Sequence, residues 1–378
     1  MLMNAIEDIR RVARDPIEYA RRYTNETGVR ALGYFCSYTP EEIIHAAGIL
    51  PVRLFGFGKK IVRADAHLQS YSCSLVRSAL ELGLSGELDF LGGMVFPHTC
   101  DSIQRLSDIY RMNIPFGFFE DIVLPVKLNS ESAREYIVNL LAAFTASIER
   151  GFSVTVSDEA LRRSLVLYNE IRDHLGALYR LRSRHPRLCS GADLHDVVSA
   201  SMVMDRTGLA ALLADLVGEL SARAEGLGDD DARKRIILSG GICSHPDVYG
   251  IIEDAGGAVV WDDLCTGTRY FEGALDTTRP PLEAIAHRYV DTRVTCPAKH
   301  RSLTDRADSL AAMATEHRAD GVVFLLLKFC DPHAFDYPHL KERLDREGVP
   351  SMLVEIEDTL PPAGQLMTRF EAFVESLG

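Results

Sequence analysis

No two cysteines of this 378-residue chain stand in a CxxC pair, and no CxxCxxCxxxC run occurs. The first absence argues against a zinc ribbon and the second against a bacterial-type ferredoxin. No apolar stretch approaches the ~20 residues of a membrane-spanning helix. The opening MLMNAIEDIRRVARDP mixes acids and bases without the apolar region of a signal peptide, so a cytoplasmic protein with no membrane partner is expected. Positive charge is also short. With 41 Lys and Arg against 54 Asp and Glu the net charge is -13, and no basic stripe exists to hold a nucleic acid. Glycine-rich nucleotide fingerprints are missing as well. GFGKK at 56–60 lacks both the spacing and the Ser/Thr of a P-loop, and LSGGICS is not GxGxxG.

What remains is a globular composition, 47% hydrophobic and 25% charged, in a chain too long for one ordinary core, so roughly two or three domains are expected. Eight cysteines in a reducing compartment point to metal ligation rather than a disulfide framework. The pattern predicts an α/β fold of two Rossmann-like parallel-sheet domains related by internal duplication, with a helical insert. The expected boundaries are 1–127 for the first α/β domain, 128–232 for the helical domain and 233–378 for the second α/β domain.

In the first block, residues 31–35, 52–55 and 89–96 read as buried strands, and another is expected to start at 113–115. Helices are expected at 41–48, at 75–84 and from Asp101 or Ser102 to about 110. From 128 to 231 apolar residues such as Ile137, Leu140, Leu141 and Phe144 recur at helical spacing, which predicts four or five helices ended by the acidic run 228–231. The first block's pattern then returns, with strands at 236–238, 258–261, 322–327 and 348–355.

The cysteines fall at the strand ends. Cys36 in GYFCSYTP matches Cys243 in SGGICSHP, Cys100 in FPHTCDS matches Cys330 in LKFCDP, and Cys73 and Cys265 lie between the members of each pair. A single buried cysteine usually just packs, and Cys189 and Cys296, which have no counterpart, are assigned that role. Six in duplicated positions are harder to dismiss. Parallel sheets bind ligands beyond the carboxyl ends of their strands, so if the two blocks face each other all six thiols meet in one cleft.

These segments, with YSCSLVRSALE, DDLCTGTRYF and the tail TRFEAFVES, resemble the iron-sulfur subunits of 2-hydroxyacyl-CoA dehydratases and benzoyl-CoA reductases over nearly the whole chain. The resemblance implies a [4Fe-4S] cluster on Cys73, Cys100 and Cys330. It also implies a CoA-thioester substrate, a paralogous subunit or a second copy as dimer partner, and an ATP-dependent activator with its own cluster that supplies low-potential electrons. Dehydratases of this kind use the electron transiently, through a ketyl radical, whereas ring reductases consume it. A third branch holds a double-cubane [8Fe-9S] cluster in one polypeptide and reduces small molecules. Six thiols, with Cys36, Cys243 and Cys265 beside the first three, suit that branch. A non-catalytic electron carrier is the alternative outside the enzymes.

Proton-transfer groups are less well marked. Glu42 sits where the family places a carboxylate near the cluster. His45, His98, Lys328 and His333 flank cysteines, though such residues are more often hydrogen-bonded structural groups. Asp101 and Asp331 read as helix caps, and Arg269 either binds an anion or pairs with Asp262 or Asp263.

Overall fold

The computed structural model describes residues 3–56, 60–228, 231–292, 295–357 and 360–378. Part of GFGKK and of the acidic run 228–231 lies outside them.

Two parallel four-stranded sheets carry the fold. The first contains β1 (Ala31–Tyr34), β2 (Leu50–Arg53), β3 (Leu91–Pro97) and β4 (Phe118–Ile122), in the order β2-β1-β3-β4. The second contains β5 (Lys234–Gly240), β6 (Gly257–Asp263), β7 (Gly321–Leu327) and β8 (Ser351–Ile356), in the order β6-β5-β7-β8. The repeated order agrees with the predicted pair of Rossmann-like units. Every residue of β1, β2 and β7 is buried, as expected of parallel strands covered on both faces. In each sheet the chain winds outward in opposite directions from the two central strands. A crevice therefore opens beyond their carboxyl ends, between β1 and β3 and between β5 and β7. Gly240 ends β5 where a Cβ would come 1.9 Å from Leu325 O on β7, so only glycine lets the two central strands approach this closely.

Among the described residues between β4 and β5 there are four helices, Glu131–Phe152, Asp158–Arg184, Gly191–Ser201 and Arg206–Ala224. Ser157 starts the second by accepting from Ala160 N, and Ser190 starts the third with a full capping box to Asp193. The 27-residue helix Asp158–Arg184, roughly 40 Å long, is a spine between the sheets. Arg172 binds Glu42 of the first block, and Tyr179 donates to Asp262 of the second at 2.6 Å.

Two local expectations are corrected. The helix Asp101–Asn113 runs into the segment expected to begin a strand, with Ile114 N still bonded to Tyr110 O, and the strand starts later, at Phe118. Asp101 and Asp331 are not caps. Cys100 and Cys330 hold the N-cap positions, and each aspartate is the first helical residue.

Candidate functional site

Cys73, Cys100 and Cys330 are each the N-cap of a helix, those spanning Ser74–Leu84, Asp101–Asn113 and Asp331–Arg346. A sulfur there faces the positive end of the helix dipole and its unbonded amides, which favours the thiolate. Burial nevertheless pushes the metal-free Cys100 thiol up to about 11, against the Ile103 and Ser102 amides that favour its ionised form. Burial, with the nearby Cys73, raises Cys330 further. Thiols this reluctant to ionise alone become thiolates when a metal replaces the proton.

Five of the six sequence-selected cysteines, Cys36, Cys73, Cys100, Cys265 and Cys330, line one cavity of about 100 Å³ between the two sheets. Cys296 lines it too. Cys243 is not among the lining residues. It is fully buried, its sulfur lies 3.6 Å from His245 O, and the neighbouring Gly241 and Ile242 face the cavity instead. Cys296 arrives on a segment that leaves the second block and docks on the first. His300 bridges to Lys127, and Lys299 Nζ donates to Leu124 O at 2.8 Å.

The sulfurs stand within one another's fields across the cavity. Cys330 feels the charges of Cys73, Cys100 and Cys265, Cys100 those of Cys73 and Cys36, and Cys296, pushed up to about 12 chiefly by burial, those of Cys36 and Cys265. Three of the six come from each half of the chain. Among the described residues no group of three or more His, Cys, Asp or Glu side chains is arranged to hold a single metal ion, so the sulfurs ring a space rather than close on a point. Soft sulfur donors around such a space fit an iron-sulfur group.

Backbone strain collects here. Cys36 has φ 59° and Phe329, just before Cys330, has φ 62°, left-handed values that cost a non-glycine residue about 1–2 kcal/mol each. They sharpen the turns that follow β1 and β7, the two strand ends that deliver Cys36 and Cys330.

Of the flanking groups, only His333 touches a sulfur, Nδ1 standing 3.2 Å from Cys330. His45 bonds Ser164, His98 lies 3.3 Å from Asp121, and Lys328 pairs with Glu357 at the surface. Arg269 resolves in favour of pairing, its Nε lying 3.4 Å from Asp263 Oδ1, and its Nη2 also reaches Cys265 Sγ at 3.4 Å. Glu42 lies away from the cavity in a buried polar cluster with Arg172 and Arg288. Burial works to raise its pKa, but the two guanidiniums outweigh it and hold the carboxyl below its usual range.

A family profile described as "2-hydroxyglutaryl-CoA dehydratase, D-component" matches residues 36–377. The chain belongs to this family. Similar proteins include the (R)-phenyllactyl-CoA dehydratase beta subunit of Clostridium sporogenes, 26% identical over 98% of both chains, and the lactoyl-CoA dehydratase beta subunit of Anaerotignum propionicum, 28% identical over 98% of both. One of the benzoyl-CoA reductase subunits of Thauera aromatica is 30% identical over 85% of this chain and 84% of its own. Subunits of dehydratases and of a reductase are therefore both among the proteins it resembles.

Two cavity residues escaped the sequence reading. Cys296 follows no strand, so the strand-end rule passed over it. Arg53 left a readable signal, a charge closing the otherwise apolar strand Leu50–Arg53.

Proposed function

We propose that this protein is an oxygen-sensitive iron-sulfur redox enzyme subunit whose six cavity thiols hold a double-cubane [8Fe-9S] group, Cys73, Cys100 and Cys330 on one side and Cys36, Cys265 and Cys296 on the other. The observation that carries this reading is the convergence of six sulfurs, three from each half of the chain, on one cavity. When bound, such a group supplies low-potential electrons to a substrate.

The chain's own residues do the rest. The three helix N-termini favour thiolates at Cys73, Cys100 and Cys330, and the His333 ring orients the Cys330 sulfur. Glu42, kept ionised by Arg172 and Arg288 on the helix that follows the Cys36 turn, lies outside the thiol cavity, so its proposed proton role requires the substrate to reach the neighbouring polar cluster. As the family resemblance implies, the electrons come from a separate ATP-dependent activator with its own cluster. The working assembly is a dimer with a paralogous subunit or a second copy, in the cytoplasm of an anaerobic cell.

A second reading rests on the relatives' names: a single [4Fe-4S] cluster on Cys73, Cys100 and Cys330 acting on a CoA-thioester, either to dehydrate a 2-hydroxyacyl group or to reduce an aromatic one. Anaerobic iron and sulfide counting separates the two. About eight irons per chain supports the double cubane, about four supports the CoA-thioester reading, and none leaves a non-catalytic protein.

A further inference from the structure

Arg53 is a fully buried arginine at the end of β2, and it lines the thiol cavity. Its Nη1 donates to Cys265 O at 3.0 Å and approaches Met202 Sδ at 3.7 Å, and its guanidinium carbon lies 5.9 Å from the Tyr270 ring centre. Its Nε and Nη2 have no hydrogen-bond partner. Among the described residues no carboxylate pairs with it. The other large buried arginines differ in this respect: Arg206 pairs with Glu41 at 2.8 Å, Arg182 with Glu253 at 2.5 Å and Arg269 with Asp263 at 3.4 Å.

A guanidinium cannot shed its proton inside a protein, so it cannot escape burial by becoming neutral. Left unpaired in a low-dielectric interior it is strongly unfavourable, and folds keep such a charge only where something anionic answers it. The cavity that Arg53 lines is the one the six thiols share. The ionised thiolates of an iron-sulfur group outnumber the positive charge of its core, so the bound group is a net anion and becomes more so on each reduction.

We infer that Arg53 is the buried counter-charge to the anionic group held in this cavity, donating from Nε and Nη2 to a thiolate or inorganic sulfide and so favouring the reduced form. This inference rests on the iron-sulfur reading above, and it names a residue that sets the potential rather than one that ligates. Hydrogen bonds to cluster sulfurs and nearby positive charge both raise a reduction potential.

The test uses the full chain with Arg53→Met, which keeps bulk and removes charge, and Arg53→Lys, which keeps charge and removes the second donor. After anaerobic reconstitution, potential-controlled titration followed by visible absorption and electron paramagnetic resonance gives the midpoint potential. The expected result for Arg53→Met is unchanged iron content and at least about a tenfold lower reduced-to-oxidised ratio at fixed potential, a shift of about 59 mV for one electron. Arg53→Lys should recover part of it. Melting of the metal-free proteins is the second readout. Without its anion the charge is a liability, so metal-free Arg53→Met should melt no lower than metal-free wild type. An unchanged potential at full iron, or a metal-free Tm well below wild type, overturns the inference. A wild type that takes up no iron sinks the cluster reading, and the metal-free melting comparison then decides the counter-charge by itself.

Discussion

His333 stands between Cys330 and Arg269 with both ring nitrogens engaged, Nδ1 3.2 Å from the Cys330 sulfur and Nε2 3.3 Å from Arg269 Nη2. A guanidinium only donates, so Nε2 is the acceptor and Nδ1–H points at sulfur. Burial, with the charges of Arg269 and Arg306, holds the ring well below its usual pKa. One neutral tautomer is thereby fixed, and one thiol of the cavity has a dedicated donor.

Removing that donor should show in thiol chemistry before any metal is added. In metal-free His333→Phe, alkylation of Cys330 by iodoacetamide at about pH 8 is expected to slow several-fold, because the thiolate loses a hydrogen bond that favours it. Peptide mass spectrometry follows the rate at Cys330 alone. Equal rates in variant and wild type would show that the bond has no hold on the sulfur.

Cys243 and Cys296 should part company when each is replaced by alanine. The Cys296→Ala protein is expected to stay folded and lose about half its iron, as one of two thiol sets is broken. Cys243→Ala should keep full iron and lose about 1 kcal/mol of stability, the usual effect of trimming a small buried side chain. Iron assay and denaturant titration on the same preparations check both.

Glu42 and Arg172 form a buried ion pair, the carboxylate 2% and the guanidinium 9% exposed. Replacing Glu42 by Gln strands the positive charge and is expected to cost about 3–5 kcal/mol in a urea titration, while Glu42→Gln combined with Arg172→Met should recover most of that loss. If the single variant unfolds like wild type but loses turnover, Glu42 matters to the reaction and not to the fold.

His45 gives a pH dependence with a defined sign. Burial, helped by Arg206, lowers its pKa to about 4 in the folded protein, against about 6.5 in the unfolded chain. Between those values only the unfolded state takes the proton. Its contribution is therefore complete above about pH 6.5 and is lost as pH falls toward 4, with a slope of up to about 1.4 kcal/mol per pH unit. His45→Gln should flatten that part of the stability profile; an unchanged slope would assign the acid sensitivity to other groups.

The sheets are legible in the sequence because their strands are short apolar runs punctuated by glycine and proline, as VVFLLL of β7 is. β4 is harder to place, since FFEDI carries two acids on half-buried positions, while Pro115 and Gly117 before it mark a turn. The thiol set is legible where a cysteine follows a strand directly. That rule does not reach Cys243. Cys36 lies two residues beyond β1 in a sharp left-handed turn, whereas Cys243 lies three beyond β5 with its sulfur 3.6 Å from His245 O and outside the cavity lining. Cys296 depends on a docking between halves, through Lys127 and His300, that no local pattern records.

The cavity thiols come from both halves of the chain, and this gives the proposed site an order in time. The last of them, Cys330, lies past the end of β7, so a group bridging both halves can be installed only late, on a scaffold already folded around it. Such a group would act as a clasp, closing loops of chain between halves that the long helix and the Lys127–His300 docking already hold together.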